Sequence, residues 1–292
     1  MIGRVRIAIV GFGLIGGSIA CALRRRDAAP TMGERIELAA WSRTPAGPTA
    51  ALADGILDRA SDTLSEVVRG AELIVLAAPP LATLALLDEL AGPVREEVAT
   101  GATLTDVAST KQAIVDRADR LGLRFVGGHP LAGRETTGYE AAEADLFVDR
   151  PWVICPGKVA EAGDVDRVDR LALACGARPV QLDPQTHDAA AAAISHVPLV
   201  LSAALVEAIT TRPGWPIASS LAAAGWRDMT RLSRGDPAMG AGIGTTNAGE
   251  LAAGLRAVRD ALDDWLSVLD TPEPASEVLR ARFEAARARL ES

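Results

Sequence analysis

The chain has 292 residues, enough for two domains with separate cores. Its 38 acidic and 30 basic side chains leave a formal charge of -8 at pH 7. That balance excludes a broad basic face for nucleic acid, which depends on clustered Lys and Arg, so an anionic small molecule would need a local basic pocket.

From the N-terminus, short apolar runs alternate with helical stretches, the pattern of βα units around a buried parallel sheet. Strands are predicted over residues 5–10, 36–41, 73–77, 103–106, 124–126, 152–154 and 178–181. Helices are predicted over 14–26, 46–53, 64–69, 81–90, 110–121 and 160–175. Gly11, Gly13, Gly16 and Gly17 break the first apolar run, which therefore reads as a strand and not as a signal-peptide core. The cysteines Cys21, Cys155 and Cys175 are far apart and lack C-x-x-C spacing. Neither a disulfide framework nor a metal site is expected, and a reducing cytoplasm is the expected location.

From Pro184 onward Ala, Leu, Glu and Arg dominate, and turn signals at 212–214, 235–237 and 272–274 separate long segments. The predicted fold is α/β plus all-α: a Rossmann-type dinucleotide-binding domain over 1–183 and an all-helical substrate and dimerisation domain over 184–292. The most apolar stretch, 189–206, holds Ser195, His196 and Pro198 between Asp188 and Glu207. It reads as a helix buried on nearly all sides at the interface of a homodimer, not as a membrane span, which needs about 20 clean apolar residues. Pro198 is expected to interrupt that helix, since proline lacks the backbone donor and clashes with the preceding turn.

Gly11-x-Gly13-x-x-Gly16 follows a strand and opens a helix. In that setting glycines allow a tight turn, close approach of backbone to a pyrophosphate and close helix-strand packing, and the helix N-terminus supplies amide donors. Leu14 and Ile15 lie inside the loop, and Pro79, after the 73–77 strand, is assigned to the same site. The second strand ends at Trp41-Ser42-Arg43-Thr44, without the acid that usually accepts from the ribose hydroxyl in NAD sites. Ser42, Arg43 and Thr44 suit a 2'-phosphate instead, so NADP is the preferred cofactor, with NAD possible. The plainer reading of Arg43 is a solvated surface charge.

The three histidines are His129, His187 and His196. His129, between Gly128 and Pro130 after a predicted strand, is expected on a rigid loop at the carboxyl edge of the sheet, where ligands bind in such folds. The run GGHPLAGRETTG from Gly127, followed by Leu146-Phe147, resembles the prephenate and arogenate dehydrogenase (TyrA) family. Asp106-Val107-Ala108-Ser109-Thr110-Lys111 resembles its D-x-x-S-x-K loop, Ser195-His196-Val197-Pro198 its S-H-x-P helix, and Arg227-Asp228-Met229-Thr230-Arg231 its R-D-x-T-R stretch.

The resemblance implies an enzyme of tyrosine biosynthesis that oxidatively decarboxylates prephenate to 4-hydroxyphenylpyruvate, with hydride transfer to NAD(P). It implies that His129 is the general base toward the ring hydroxyl, and that Ser109 orients His129 or touches that hydroxyl. Arg231 becomes a carboxylate-binding arginine, held by Asp228 one turn earlier. His196 becomes a substrate-site or supporting residue. His187 carries less weight, because a partly exposed capping or hinge role near a helix start explains it equally well. Lys111 is placed near the cofactor or, more plainly, on the surface.

Relatives carry a histidine where this chain has Leu199, and a small hydroxyl residue where it has Arg134. Arg134 is therefore expected to pair with a substrate carboxylate. The family's Met-Trp pair becomes Met239-Gly240. Arogenate, 4-amino-4-deoxyprephenate and a non-catalytic NADP sensor remain alternatives. A lysine-dependent β-hydroxyacid dehydrogenase is disfavoured, since Lys111 and Lys158 both precede the helical half.

Overall fold

The computed structural model describes residues 4–25, 28–32, 35–133, 136–273 and 275–291. Its N-terminal half is an eight-stranded sheet in the order β3-β2-β1-β4-β5-β6-β7-β8. The strands are β1 (Arg4–Val10), β2 (Arg35–Trp41), β3 (Arg59–Ala60), β4 (Leu73–Leu76), β5 (Thr103–Asp106), β6 (Phe125–Pro130), β7 (Pro151–Pro156) and β8 (Arg178–Gln181). β4 and the second half of β1 consist wholly of Val, Ile, Leu and Ala because helices cover both sheet faces, and Ile7 to Val10 and Leu73 to Leu76 are all buried. The covering helices are α1 (Leu14–Leu23), α2 (Ala28–Met32), α3 (Ala46–Ala53), α4 (Leu64–Val68), α5 (Pro80–Ala91), α6 (Gln112–Arg120) and α7 (Ala162–Ala174).

Between β1 and its neighbours β2 and β4 the strand order reverses, which opens a crevice at the carboxyl ends. The expectation of a parallel sheet holds as far as β6 and fails at β7. β6 and β7 are antiparallel, with His129 opposite Val153. Among the described residues between β6 and β7 there is no crossover α-helix, so the chain re-enters from the same end. This pairing also lengthens β6, and His129 sits within the strand, not on a loop after it. The short elements β3 and α2 escaped prediction because two and five residues carry no readable period.

The rest is helical: α8 (Pro184–Ala191), α9 (Val197–Thr210), α10 (Trp215–Ser220), α11 (Ala224–Thr230), α12 (Pro237–Thr246), α13 (Ala248–Leu269) and α14 (Ser276–Leu290). α8 and α9 are joined through a π-helical turn, Ala192–His196, with Pro198 in the first turn of α9. The widened turn accommodates the proline without breaking the helix, and it presents His196 to the interior. α12 lies against the sheet's carboxyl edge: a Cβ on Gly242 would stand 3.1 Å from Pro80, and the Thr110 and Thr246 hydroxyls are 2.7 Å apart.

The apolar segment Pro184–Thr210 matches a membrane span in length and composition, but only 28% of its most apolar window is buried in the chain. In the single chain most of this segment is therefore open, and the expected burial on nearly all sides requires a partner surface. Ile194 is 70% exposed, whereas His187, Asp188 and His196 on the same segment are buried.

One buried ion pair ties the β5–α6 loop to β6. Lys111 Nζ contacts Asp106 Oδ2, and neither side chain is exposed. Asp106 also accepts from Gly128 N at 3.0 Å and Ala108 N at 3.1 Å. Lys111 is thus not a surface lysine. Burial pushes the Asp106 carboxyl up, against the pull of Lys111 and the two amides. Lys111→Met leaves a buried carboxylate without its cation and is expected to lower unfolding free energy by about 3–5 kcal/mol at neutral pH. An acid with a raised folded pKa destabilises the fold above that pKa, so the deficit should shrink as pH falls. Denaturant unfolding at two pH values checks both.

Candidate active site

The glycine loop has the geometry of a phosphate cradle. Gly11 has φ +93°, where only glycine is unstrained, and a Cβ there would stand 2.3 Å from the Ala77 carbonyl. A Cβ on Gly16 would stand 2.3 Å from Gly11 O, which fixes the close packing of α1 on β1. Gly13, by contrast, caps α1 without a side chain and would meet nothing within 4 Å. The open space faces the free amides of a helix N-terminus, the environment that suits a pyrophosphate. Leu14 is buried, and Ile15 and Pro79 are half-buried beside it. At the end of β2, Ser42 is half-buried and Arg43 and Thr44 are exposed.

The segment after β6 leans on this loop. The Tyr139 ring lies 5.5 Å from that of Phe12, its hydroxyl donates to Asp54 at 2.9 Å, and Glu143 N donates to Ser18 Oγ at 3.0 Å. Tyr139 is the chain's single tyrosine. Nothing in its local spacing marked it as the residue joining the two loops.

The histidines converge across the two halves. His129 Nδ1 is 2.8 Å from His187 Nε2, and His187 Nδ1 is 2.8 Å from Asp188 Oδ1. An ionised carboxylate only accepts, so His187 carries its hydrogen on Nδ1 and its Nε2 accepts from His129 Nδ1. His129 is left with a bare Nε2. Asp188 in turn accepts the backbone N–H of Lys111 at 2.7 Å and of Gln112 at 3.0 Å. α6 has no side-chain cap of its own, so a residue of the helical half caps it.

His187 is therefore buried and bonded to His129, contrary to the partly exposed role read from the sequence. Its aim is local in origin: Asp183 caps α8 by accepting from Thr186 N at 2.9 Å, and Pro184 starts the helix. Ser109 does not orient His129. Its hydroxyl points at Met239 Sδ, 3.7 Å away.

His196 is buried with Nδ1 3.2 Å from Asn247 Nδ2, which also donates to the Asp188 carbonyl at 2.9 Å. Its buried Nε2 has no hydrogen-bond partner among the described residues. Asp188 and Asn247 were both missed, the first because a carboxylate in an apolar helix reads as a flank, the second because nothing in its spacing stands out. Asp228 lies on α11 and Arg231 at its end, and both are exposed. Arg134 lies outside the described residues.

Residues 29–181 match the family model for the prephenate dehydrogenase nucleotide-binding domain, and residues 183–275 that for the prephenate dehydrogenase dimerization domain. The chain belongs to the prephenate dehydrogenase family. It is 34% identical over 269 residues to the prephenate dehydrogenase of Bacillus subtilis, covering 90% of this chain and 68% of that one. A Lactococcus lactis prephenate dehydrogenase is 31% identical over 80% of this chain, which spans 62% of the relative's length. Among solved structures, Synechocystis arogenate dehydrogenase superposes with TM-score 0.77 at 31% identity, covering 98% of this chain and all of that one. Aquifex aeolicus prephenate dehydrogenase, solved with hydroxyphenyl propionate and NAD+, gives 0.83 at 25% identity over 98% of each. Family and cradle together make a nicotinamide dinucleotide the cofactor.

Burial, reinforced by the neighbouring His187, Lys111 and His196 side chains, holds the His129 imidazole well below the ordinary histidine range. His129 is expected to remain neutral, protonated on Nδ1 and bare on Nε2, through about pH 6.5, where a free imidazole is half charged. Nitrogen-15 NMR of the ring checks this, and half-protonation near the free value would contradict it.

Proposed function

We propose that the protein converts prephenate to 4-hydroxyphenylpyruvate and carbon dioxide, with hydride transfer to NADP in preference to NAD. The observation that carries this reading is the bare Nε2 of His129 at the carboxyl edge of the sheet, in the half that also holds the glycine cradle. The oxidised nicotinamide, when bound, supplies the hydride acceptor. His129 Nε2 accepts the hydrogen bond of the ring hydroxyl and takes its proton as hydride leaves the carbon. Loss of the ring carboxylate as carbon dioxide then gives an aromatic phenolate, which takes the proton back from His129 to leave 4-hydroxyphenylpyruvate.

Arg231 is assigned to a substrate carboxylate, with Asp228 in i,i+3 spacing to steady the guanidinium and Arg134 as a further cation. His196 is assigned to the substrate side of the π turn, with Ser109 beside it. Gly11, Gly13, Leu14, Ile15, Gly16 and Pro79 form the cradle, and Ser42, Arg43 and Thr44 meet the 2'-phosphate. We place the cofactor-binding unit at 1–183 and the helical unit at 184–292. Homodimer contacts belong to the helical unit: residues 183–275 match a dimerization domain, and Ile194, Ile217 and Leu221 are each at least 70% exposed.

The deciding assay is steady-state reduction of NADP and of NAD, with prephenate and arogenate tested separately. Turnover of prephenate with NADP is expected. Turnover of arogenate alone would replace the substrate, and NADPH binding without either turnover would point to an amino-substituted acid or a sensor.

Replacing the base should separate chemistry from cofactor binding. His129→Asn is expected to lower kcat by about 100- to 10,000-fold while NADP binding is kept, and near-native turnover would remove His129 from the role. Arg43→Asp is expected to raise KM for NADP and move preference toward NAD. An unchanged KM for NADP would mean that Arg43 does not meet the phosphate.

A further inference from the structure

We propose that His187 is a proton relay behind His129, and that Asp188 holds both rings in the tautomers the relay requires. The inference rests on the reading of His129 as the base and assigns work to two residues which that reading leaves idle. Asp188 receives three donors, namely His187 Nδ1 at 2.8 Å, Lys111 N at 2.7 Å and Gln112 N at 3.0 Å. The two amides belong to the start of a helix, so the carboxylate is fixed before any substrate arrives. Fixed in this way, it dictates the hydrogen on His187 Nδ1 and the direction of the bond between the two imidazoles.

The charged and titratable groups packed around the two rings are Lys111 and Asp106 from the β5–α6 loop, Asp188 on α8 and His196 in the π turn. Lys111 is already paired with Asp106. Asp188 is thus the carboxylate in contact with a ring, and the ring it touches is His187.

In the step, the substrate O–H bond breaks and an N–H bond forms at His129 Nε2. In the same event the His129 Nδ1–H bond breaks and an N–H bond forms at His187 Nε2. The hydride and its electron pair go to the oxidised nicotinamide. The new positive charge therefore rests on His187, against Asp188, and not on His129, where desolvation and the Lys111 charge oppose it.

The test is the single-turnover rate of the NADP-loaded enzyme with prephenate in mixtures of light and heavy water. Two protons in flight give a curved plot of rate against deuterium fraction in the wild type, and one proton gives a straight line. His187→Gln keeps a hydrogen-bond acceptor but cannot take a proton. It is expected to be about 10- to 100-fold slower, to show a straight plot, and to leave both KM values nearly unchanged. A straight wild-type plot overturns the relay without reference to any variant, as does a His187→Gln enzyme with the native rate or a curved plot. An active His129→Asn enzyme would remove the base itself, whereas an inactive one combined with a straight wild-type plot removes the relay alone.

Discussion

The Asp188 carboxylate is where the two halves of the molecule become one site. From α8 it reaches across to cap α6, and with the same Oδ1 that accepts from Lys111 N it accepts from His187 Nδ1. A helix N-terminus attracts negative charge, and a buried carboxylate needs donors, so each satisfies the other's requirement. The β5–α6 loop, α8 and the His129 strand β6 are consequently positioned by one group. Asn247, donating to the Asp188 carbonyl and facing His196, extends the same network to α13.

A second buried carboxylate makes the network rigid on the sheet side. Asp106 sits at the end of β5, binds the Lys111 ammonium, and receives the amide of Gly128, the residue before His129. The antiparallel partner β7 secures the other edge of the strand. In the proposed role, a base held this firmly loses little freedom on reaching the transition state, and that is the form in which positioning contributes to rate. Its surroundings also disfavour the imidazolium, through desolvation first and the neighbouring His187 and Lys111 side chains after it.

What could be read from the sequence was whatever is encoded locally. The glycine loop was legible because φ and close-approach constraints act residue by residue, and β5 and β8 were predicted to the residue from their apolar composition and turn signals. His129 was found through its motif but misplaced on a loop, because the antiparallel pairing that extends β6 depends on Val153, far along the chain. His187 was undervalued for a similar reason. In the sequence it follows Pro184-Gln185-Thr186 and looks like a helix start in solvent, whereas the contact that defines it spans 58 positions. Lys111 shows the same limit, since no spacing tells a buried lysine from an exposed one until its carboxylate is placed.

Two departures from the family pattern turn out to be neighbours. Leu199 stands where relatives carry a histidine, and Gly240 where they carry a tryptophan. A Cβ on Gly240 would lie 4.0 Å from Leu199 Cδ2. Removing the indole leaves volume at the start of α12, and an isobutyl group one turn into α9 lies against it. The substitutions are therefore one change in packing, and they leave the Asp188–His187–His129 chain untouched. His187 and Asp188 lie on α8 and His129 on β6, whereas Leu199 and Gly240 lie on α9 and α12, so one set can vary while the other is kept.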